Sequence, residues 1–140
     1  MIVFGLDIGQ KRIGIAKSDE LGMFAHGMGY IEKDENTEWI KKIDGYIAEY
    51  APGKIVVGMP TNLDGTHGIA AENIQNTIDI LKANITIDIV SWDERLTSKQ
   101  AMRYMQNTNI SGKKKKKKVD SLAAQIMLQD YLDYNKGSIL

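Results

Sequence analysis

The sequence predicts an α/β domain built on a mixed five-stranded sheet, with three antiparallel strands first and parallel strand–helix–strand units after them. Two patterns lead to it. Near the start, three extended stretches follow one another across short glycine-containing turns, as in an antiparallel meander. From residue 54 onward, short apolar stretches alternate with segments of helical periodicity, and that order implies parallel pairing through crossovers with helices on both faces. Size supplies a third constraint, since 140 residues suit one domain, 1–140, with a single core of two or three layers.

The elements follow in order. Residues 2–7 (IVFGLD) are β-branched and apolar, as a buried strand is, and GQK after them supplies a turn. Residues 12–18 (RIGIAKS) alternate, with Ile13, Ile15 and Lys17 on one face and small residues on the other. A third strand is predicted over 23–31. Asn36 is placed to cap a helix in which Trp39, Ile40, Ile43 and Ile47 recur at three- and four-residue spacing, ending near Tyr50 before Pro52-Gly53. KIVVG at 54–58 is a short buried strand, and MPTNLDGTHG after it is rich in turn formers. A helix over 69–82 turns Ile74, Ile78 and Leu81 inward, and ITIDIV at 85–90 completes the sheet. Thr97 and Gln100 form a capping box that opens a helix to about residue 107. The last helix is predicted over 119–134.

Composition narrows the chemistry. Of the residues, 43% are hydrophobic and 26% charged, as in ordinary folded proteins. Basic and acidic residues balance at 18 each, but six of the basic ones are Lys113 to Lys118, which leaves 12 against 18 elsewhere. The positive charge is therefore gathered beside an acidic body, and local field governs which partners approach. There is no cysteine, which excludes disulfides, thiolate zinc sites and a cysteine nucleophile and suits a reducing cytoplasm. The N-terminus shows neither the basic nor the long apolar part of a signal peptide, and no apolar run approaches membrane-spanning length.

Four acidic residues at three places stand out. Asp7 ends the first strand and Asp93 and Glu94 follow the strand 85–90; sites in open α/β sheets form outside the carboxyl ends of parallel strands. Asp120 sits in the first predicted turn of the last helix, where the helix dipole favours an acid whatever the function. It also follows the six lysines with only Val119 between. Carboxylates that hold a hard divalent ion, Mg²⁺ or Mn²⁺, next to cations that hold a phosphodiester chain are what a metal-dependent nuclease requires. His26 and His67 show no metal-ligand spacing and are read as strand and loop residues. Arg12, one turn past Asp7, is within reach of a phosphate in this reading, although an exposed strand arginine needs no such role.

The segments GLDIGQKRIGIAKSD (5–19), IVVGMPTNLDGTHG (55–68), DERLTS (93–98) and KKKKVDSLAAQIMLQDYL (115–132) together resemble the motif series of the YqgF family, whose members are named as Holliday junction resolvases or pre-16S ribosomal RNA nucleases. The resemblance runs over nearly the whole chain. It implies an RNase H-like fold, a nuclease site loaded with Mg²⁺ or Mn²⁺, a cytoplasmic location and a role in maturing the 5′ end of small-subunit ribosomal RNA, with ribosomal precursor particles as partners. Carried over residue by residue, it makes Asp7, Glu94 and Asp120 catalytic, adds Asp93 to the metal ligands, and lets Arg95 orient a carboxylate or contact phosphate. Arg12, Arg95, Lys113, Lys114, Lys115, Lys116, Lys117 and Lys118 form the expected nucleic-acid surface. Six consecutive lysines exceed the mixed basic stretch of the family at this point, which leaves the register of that segment open.

Alternatives stay open on sequence grounds. A junction-resolving DNA nuclease acting as a homodimer, rather than a monomer acting on an RNA precursor, uses the same carboxylates and lysines. An ATP-binding protein of the actin and sugar-kinase type shares the look of DIGQKRIGIA, but needs two lobes. A non-catalytic nucleic-acid binder would bind in a salt-sensitive way even without Asp7.

Overall fold

The structure, a computed structural model, describes residues 1–34, 36–59, 69–93 and 112–139, with backbone alone at 69–70, 112–120 and 136–139. Its strands are β1 (Val3–Ile8), β2 (Arg12–Ser18), β3 (Ala25–Glu32), β4 (Lys54–Met59) and β5 (Asp88–Asp93), and its helices α1 (Glu38–Tyr50), α2 (Ile69–Asn84) and α3 (Gly112–Ile139). The sheet runs β3-β2-β1-β4-β5. β1 pairs antiparallel with β2 and β2 with β3, while β1 with β4 and β4 with β5 are parallel. The mixed sheet expected from the sequence is the one found.

Two tight turns make the meander. The Gly9 N–H donates to the Arg12 carbonyl at 2.8 Å, closing β1 onto β2. Between β2 and β3, Asp19 organises the turn: its carboxylate accepts the Met23 N–H at 2.8 Å, its carbonyl accepts the Gly22 N–H, and its own N–H donates to the Phe24 carbonyl. Gly22 takes a positive φ of 68°, which a side chain would disfavour. A bulge then interrupts β3: Ala16 pairs with Gly27 but Ile15 with Gly29, so Met28 is the extra residue, and Gly29 adopts φ 97°.

Each strand alternates between two unlike layers. One face carries Phe4, Leu6, Ile8, Ile13, Ile15, Ile55, Val57 and Ile89 against Trp39, Ile40 and Ile43 of α1 and Ile74, Ile78 and Leu81 of α2. The other carries Val3, Ala16, Ala25 and Val56 against Ala124, Met127, Leu128 and Leu132 of α3. Small residues let α3 lie close. A Cβ on Gly5 would stand 2.9 Å from the Leu128 Cβ, and one on Gly27 would stand 2.1 Å from the Ser121 Oγ.

α3 also closes the edge strand β3, whose outward amides would otherwise invite another strand. Its row Ser121, Gln125, Gln129 rises one turn at a time along the helix. The Gly29 N–H donates to the Ser121 Oγ at 3.1 Å, the Ala25 N–H to the Gln129 Oε1 at 2.9 Å, the Gln125 Nε2 to the Ala25 carbonyl at 3.1 Å, and the Gln129 Nε2 to the Met23 carbonyl at 2.9 Å. On the opposite flank of the helix, Trp92 of β5 packs edge-on against Tyr131 and Tyr134, and its Nε1 donates to Asp130 at 3.0 Å.

Several elements differ from expectation. Strand β5 lies at 88–93 rather than 85–90 because α2 runs on to Asn84, where the Ile85 N–H still bonds the Leu81 carbonyl and Ile85 buries its side chain at the junction. β3 starts two residues late, the space being taken by the Asp19 turn. Asn36 does not cap α1. The position before the helix is Thr37, with φ 62° and no side-chain cap bond. Most consequential, α3 begins at Gly112 rather than 119, so the lysine run is helical; lysine's good helix propensity favours this while charge repulsion opposes it. The helix predicted over 97–107 and the turn-rich stretch 60–68 lie outside the described residues.

Candidate active site

Strand alternation sorts the candidate acids by face. Phe4, Leu6 and Ile8 point toward α1 and α2, so Val3, Gly5 and Asp7 point toward α3. Asp7 is half-buried at the carboxyl end of the central strand. It pairs with Gly14 on β2, which pairs with Tyr30 on β3, so Asp7, Gly14 and Tyr30 form one row on one face. On β5 the alternation runs Ile89 toward α1 and α2, Val90 and Trp92 toward α3. Asp93 therefore falls on the face opposite Asp7, where it is exposed, and its pairing partner Met59 packs on the aliphatic layer. Glu94 and Arg95 lie outside the described residues.

The register of α3 over the sheet fixes where position 120 comes. Gly5 faces Ala124 and Leu128, and the Gly29 N–H bonds Ser121, so the helix runs antiparallel to β1 and passes the end of that strand with its earlier turns. Position 120 lies one turn before Ala124, on the backbone stripe that continues through Ala124, Met127 and Tyr131. That stripe packs on Val3 and Val56 of β1 and β4, whereas Ser121, Gln125 and Gln129 face β3. Because the helix starts at 112, position 120 is in its third turn. A dipole-capping role for Asp120 falls away with that, since the effect fades beyond the first turn. The backbone of Lys113 to Lys118 occupies the first two turns.

Arg12 opens β2 and is half-buried, its guanidinium carbon 4.7 Å from the centre of the Tyr30 ring. Tyr30 escaped sequence reasoning because the bulge at Met28 breaks the two-residue alternation that would have assigned its face. Gly5 was equally silent; a glycine inside a strand was its signal. His26 is exposed on β3, and His67 lies outside the described residues. Among the described residues no three acids or histidines gather into a cluster that could hold a metal ion, Asp7 and Asp93 being the candidate acids whose side chains are described. No helix among the described residues is long and apolar enough to cross a membrane.

A mixed sheet ordered 3-2-1-4-5, with an acid near the end of its central strand and a long helix crossing that end, is the arrangement of the RNase H-like fold. Within it, the chain belongs to the RuvX family, described as Holliday junction resolvases, whose family model matches residues 1–134. Relatives in Halothermothrix orenii, 42% identical over 96% of both chains, and in Clostridium tetani, 43% identical over 97% of this chain and 100% of the other, bear the provisional name pre-16S rRNA nuclease. Solved structures with a similar fold include the Fowlpox virus resolvase in complex with substrate Holliday junction DNA, with TM-score 0.59 at 16% identity over 96% of this chain and 99% of that one. Another is the RuvC protein of Thermus thermophilus in complex with Holliday junction substrate, with TM-score 0.57 at 15% identity over 99% and 97%.

Proposed function

We propose that this protein hydrolyses phosphodiester bonds in structured nucleic acid with the help of Mg²⁺ or Mn²⁺, acting on the 5′ end of a small-subunit ribosomal RNA precursor. The observation that carries the reading is the register of α3: its third turn, with position 120, passes the end of β1 where Asp7 stands half-buried. A donor set that is all carboxylate oxygen suits a hard divalent ion. Asp7, Glu94 and Asp120 would hold it. Asp93, on the face opposite Asp7, suits this set less well, and the family resemblance assigns the catalytic place to Glu94. Such an ion lowers the pKa of an attacking water and stabilises the departing oxygen.

The chain's own part is to aim the substrate. The lysine turns of α3 supply a cationic approach to the same end of the sheet, and Arg12 adds a guanidinium from β2. The names borne by relatives of about 40% identity support the RNA substrate. A cytoplasmic setting suits a chain without cysteine. A second reading, cleavage of four-way DNA junctions by a dimer, is favoured by the family description and by likeness of fold to two junction resolvases.

The test offers the purified protein a precursor ribosomal RNA end and a four-way DNA junction side by side with Mn²⁺, in single-turnover mode. Asp7→Asn, which removes charge at nearly constant volume, should slow cleavage on the order of 10³-fold while circular dichroism stays unchanged. Cleavage by that variant at the wild-type rate refutes the assignment, and preference for the junction selects the second reading.

A further inference from the structure

We infer that Tyr30 is a positioning residue for substrate: its ring is the platform that holds Arg12 against the phosphate flanking the one cleaved beside Asp7. The inference rests on the nuclease reading for its choice of ligand, a polynucleotide phosphate, and on separate observations for its geometry. Asp7, Gly14 and Tyr30 stand in one row across three adjacent strands, all on the α3 face. With neighbouring strands about 4.8 Å apart, Tyr30 is about 10 Å from Asp7, and glycine puts no side chain between them. A strand bound at Asp7 and running along this row brings an adjacent phosphate to β2 and β3.

Arg12 reaches that place diagonally. It pairs with Glu32 in the ladder, yet its guanidinium lies over the ring of Tyr30, two residues back, at 4.7 Å. At 4.7 Å from the ring centre the guanidinium is in cation–π range, and two of its five N–H donors suffice to grip a phosphate through parallel hydrogen bonds. An arginine on a flexible stem loses rotamer freedom when it binds; one already held on an aromatic ring loses less. The bulge at Met28 is what turns Tyr30 to this face, since uninterrupted alternation from Ala25 would send residue 30 to the other side.

A ring that merely packs and a ring that aims Arg12 differ in salt dependence. Equilibrium binding is measured on a fluorescein-labelled stem–loop RNA with a single-stranded 5′ extension, without divalent ions, in the Asp7→Asn background so that nothing is cut. Removing the charge in Arg12→Gln should weaken binding about 10-fold and lower the slope of log Kd against log salt by about 0.7. Tyr30→Ala removes no charge, yet should lower the slope by the same amount. Adding it to Arg12→Gln should change nothing further, and Tyr30→Phe should bind like the parent. In otherwise wild-type protein, Tyr30→Ala should raise KM with kcat within about two-fold.

An unchanged salt slope in Tyr30→Ala with an unchanged melting temperature overturns the inference, as do additive effects of the two substitutions. If Tyr30→Ala melts too low to assay, Tyr30→Leu at similar bulk replaces it under the same criteria. A protein with the coupled Arg12 and Tyr30 signature that never cleaves keeps the platform and loses the nuclease reading; normal cleavage with no coupling does the reverse.

Discussion

The two faces of the sheet solve the packing problem with opposite materials. Toward α1 and α2 the contact is made of large branched side chains, Ile13, Ile15, Ile43, Ile55 and Leu81 being fully buried, and among the described residues the one candidate acid on that face, Asp93, stands exposed outside it. Toward α3, alanine and glycine are interspersed with Val3, Val56, Met127, Leu128 and Leu132, and polar groups are admitted: Ser121, Gln125, Gln129 and Asp7. A branched aliphatic layer supplies burial, about 25 cal/mol for each Å² of apolar surface, and tolerates small rearrangement. A layer of small residues brings two backbones close enough that side chains from one can bond the other. Stability is concentrated on the first face and alignment on the second.

That contrast can be broken by substitution. The largest effect on stability is expected from Leu81→Ala, which empties a fully buried position on the aliphatic face and should cost about 3–4 kcal/mol in urea unfolding. Cleavage per folded molecule should be unaffected; a loss of activity in step with the loss of stability would show that the two faces are not separable. Gly5→Ala is the converse. It places a methyl 2.9 Å from the Leu128 Cβ, where the helix has to move, and should cost about 2 kcal/mol while lowering the single-turnover rate at least about 10-fold by displacing α3 from the end of β1. An unimpaired rate would separate α3 from the chemistry.

Smaller effects sharpen the picture. Gln129→Ala removes one bond from the Ala25 N–H and one to the Met23 carbonyl, and should cost about 1–2 kcal/mol with faster hydrogen exchange at Ala25 measured by NMR. The smallest belongs to neither face. The N–H of Met23 donates to the Asp19 carboxylate and holds its pKa below the usual value. A group whose folded pKa is lowered stabilises the fold above the ordinary carboxylate range and stops doing so as pH falls through the lowered value. The Asp19 turn should loosen in acid, seen as faster exchange at Met23 and Gly22, and Asp19→Asn should flatten that pH dependence; an identical acid profile in the variant would remove the carboxylate from the turn's design.

Much of this architecture was legible because its signals are local. The alternation of RIGIAKS marked β2 at its true limits, and the apolar run KIVVG located β4 to within one residue. What was hidden depends on partners far along the chain. ITIDIV reads as a strand from its first residue, but Ile85 is taken by the end of α2, and only pairing with β4 sets β5 at Asp88. The face of Asp93 follows from that register, so periodicity alone placed Asp93 and Glu94 at one strand end, and only the family resemblance ranked Glu94 as catalytic. Lysine favours both helix and solvated loop, and which one 113–118 adopts turned on the continuous helix behind it. Tyr30 was concealed by one inserted residue.

α3 has a second duty that bears on how this protein can fail. Its Ser121, Gln125 and Gln129 side chains occupy backbone groups along 23–29 on the outermost strand. A chain shortened ahead of residue 121, whether by premature termination or by proteolysis, loses these bonds and bares a row of amides and carbonyls ready to recruit the same row on another molecule. Such fragments should associate edge to edge rather than linger as monomers, so the helix that passes the end of β1 also guards the border of the sheet.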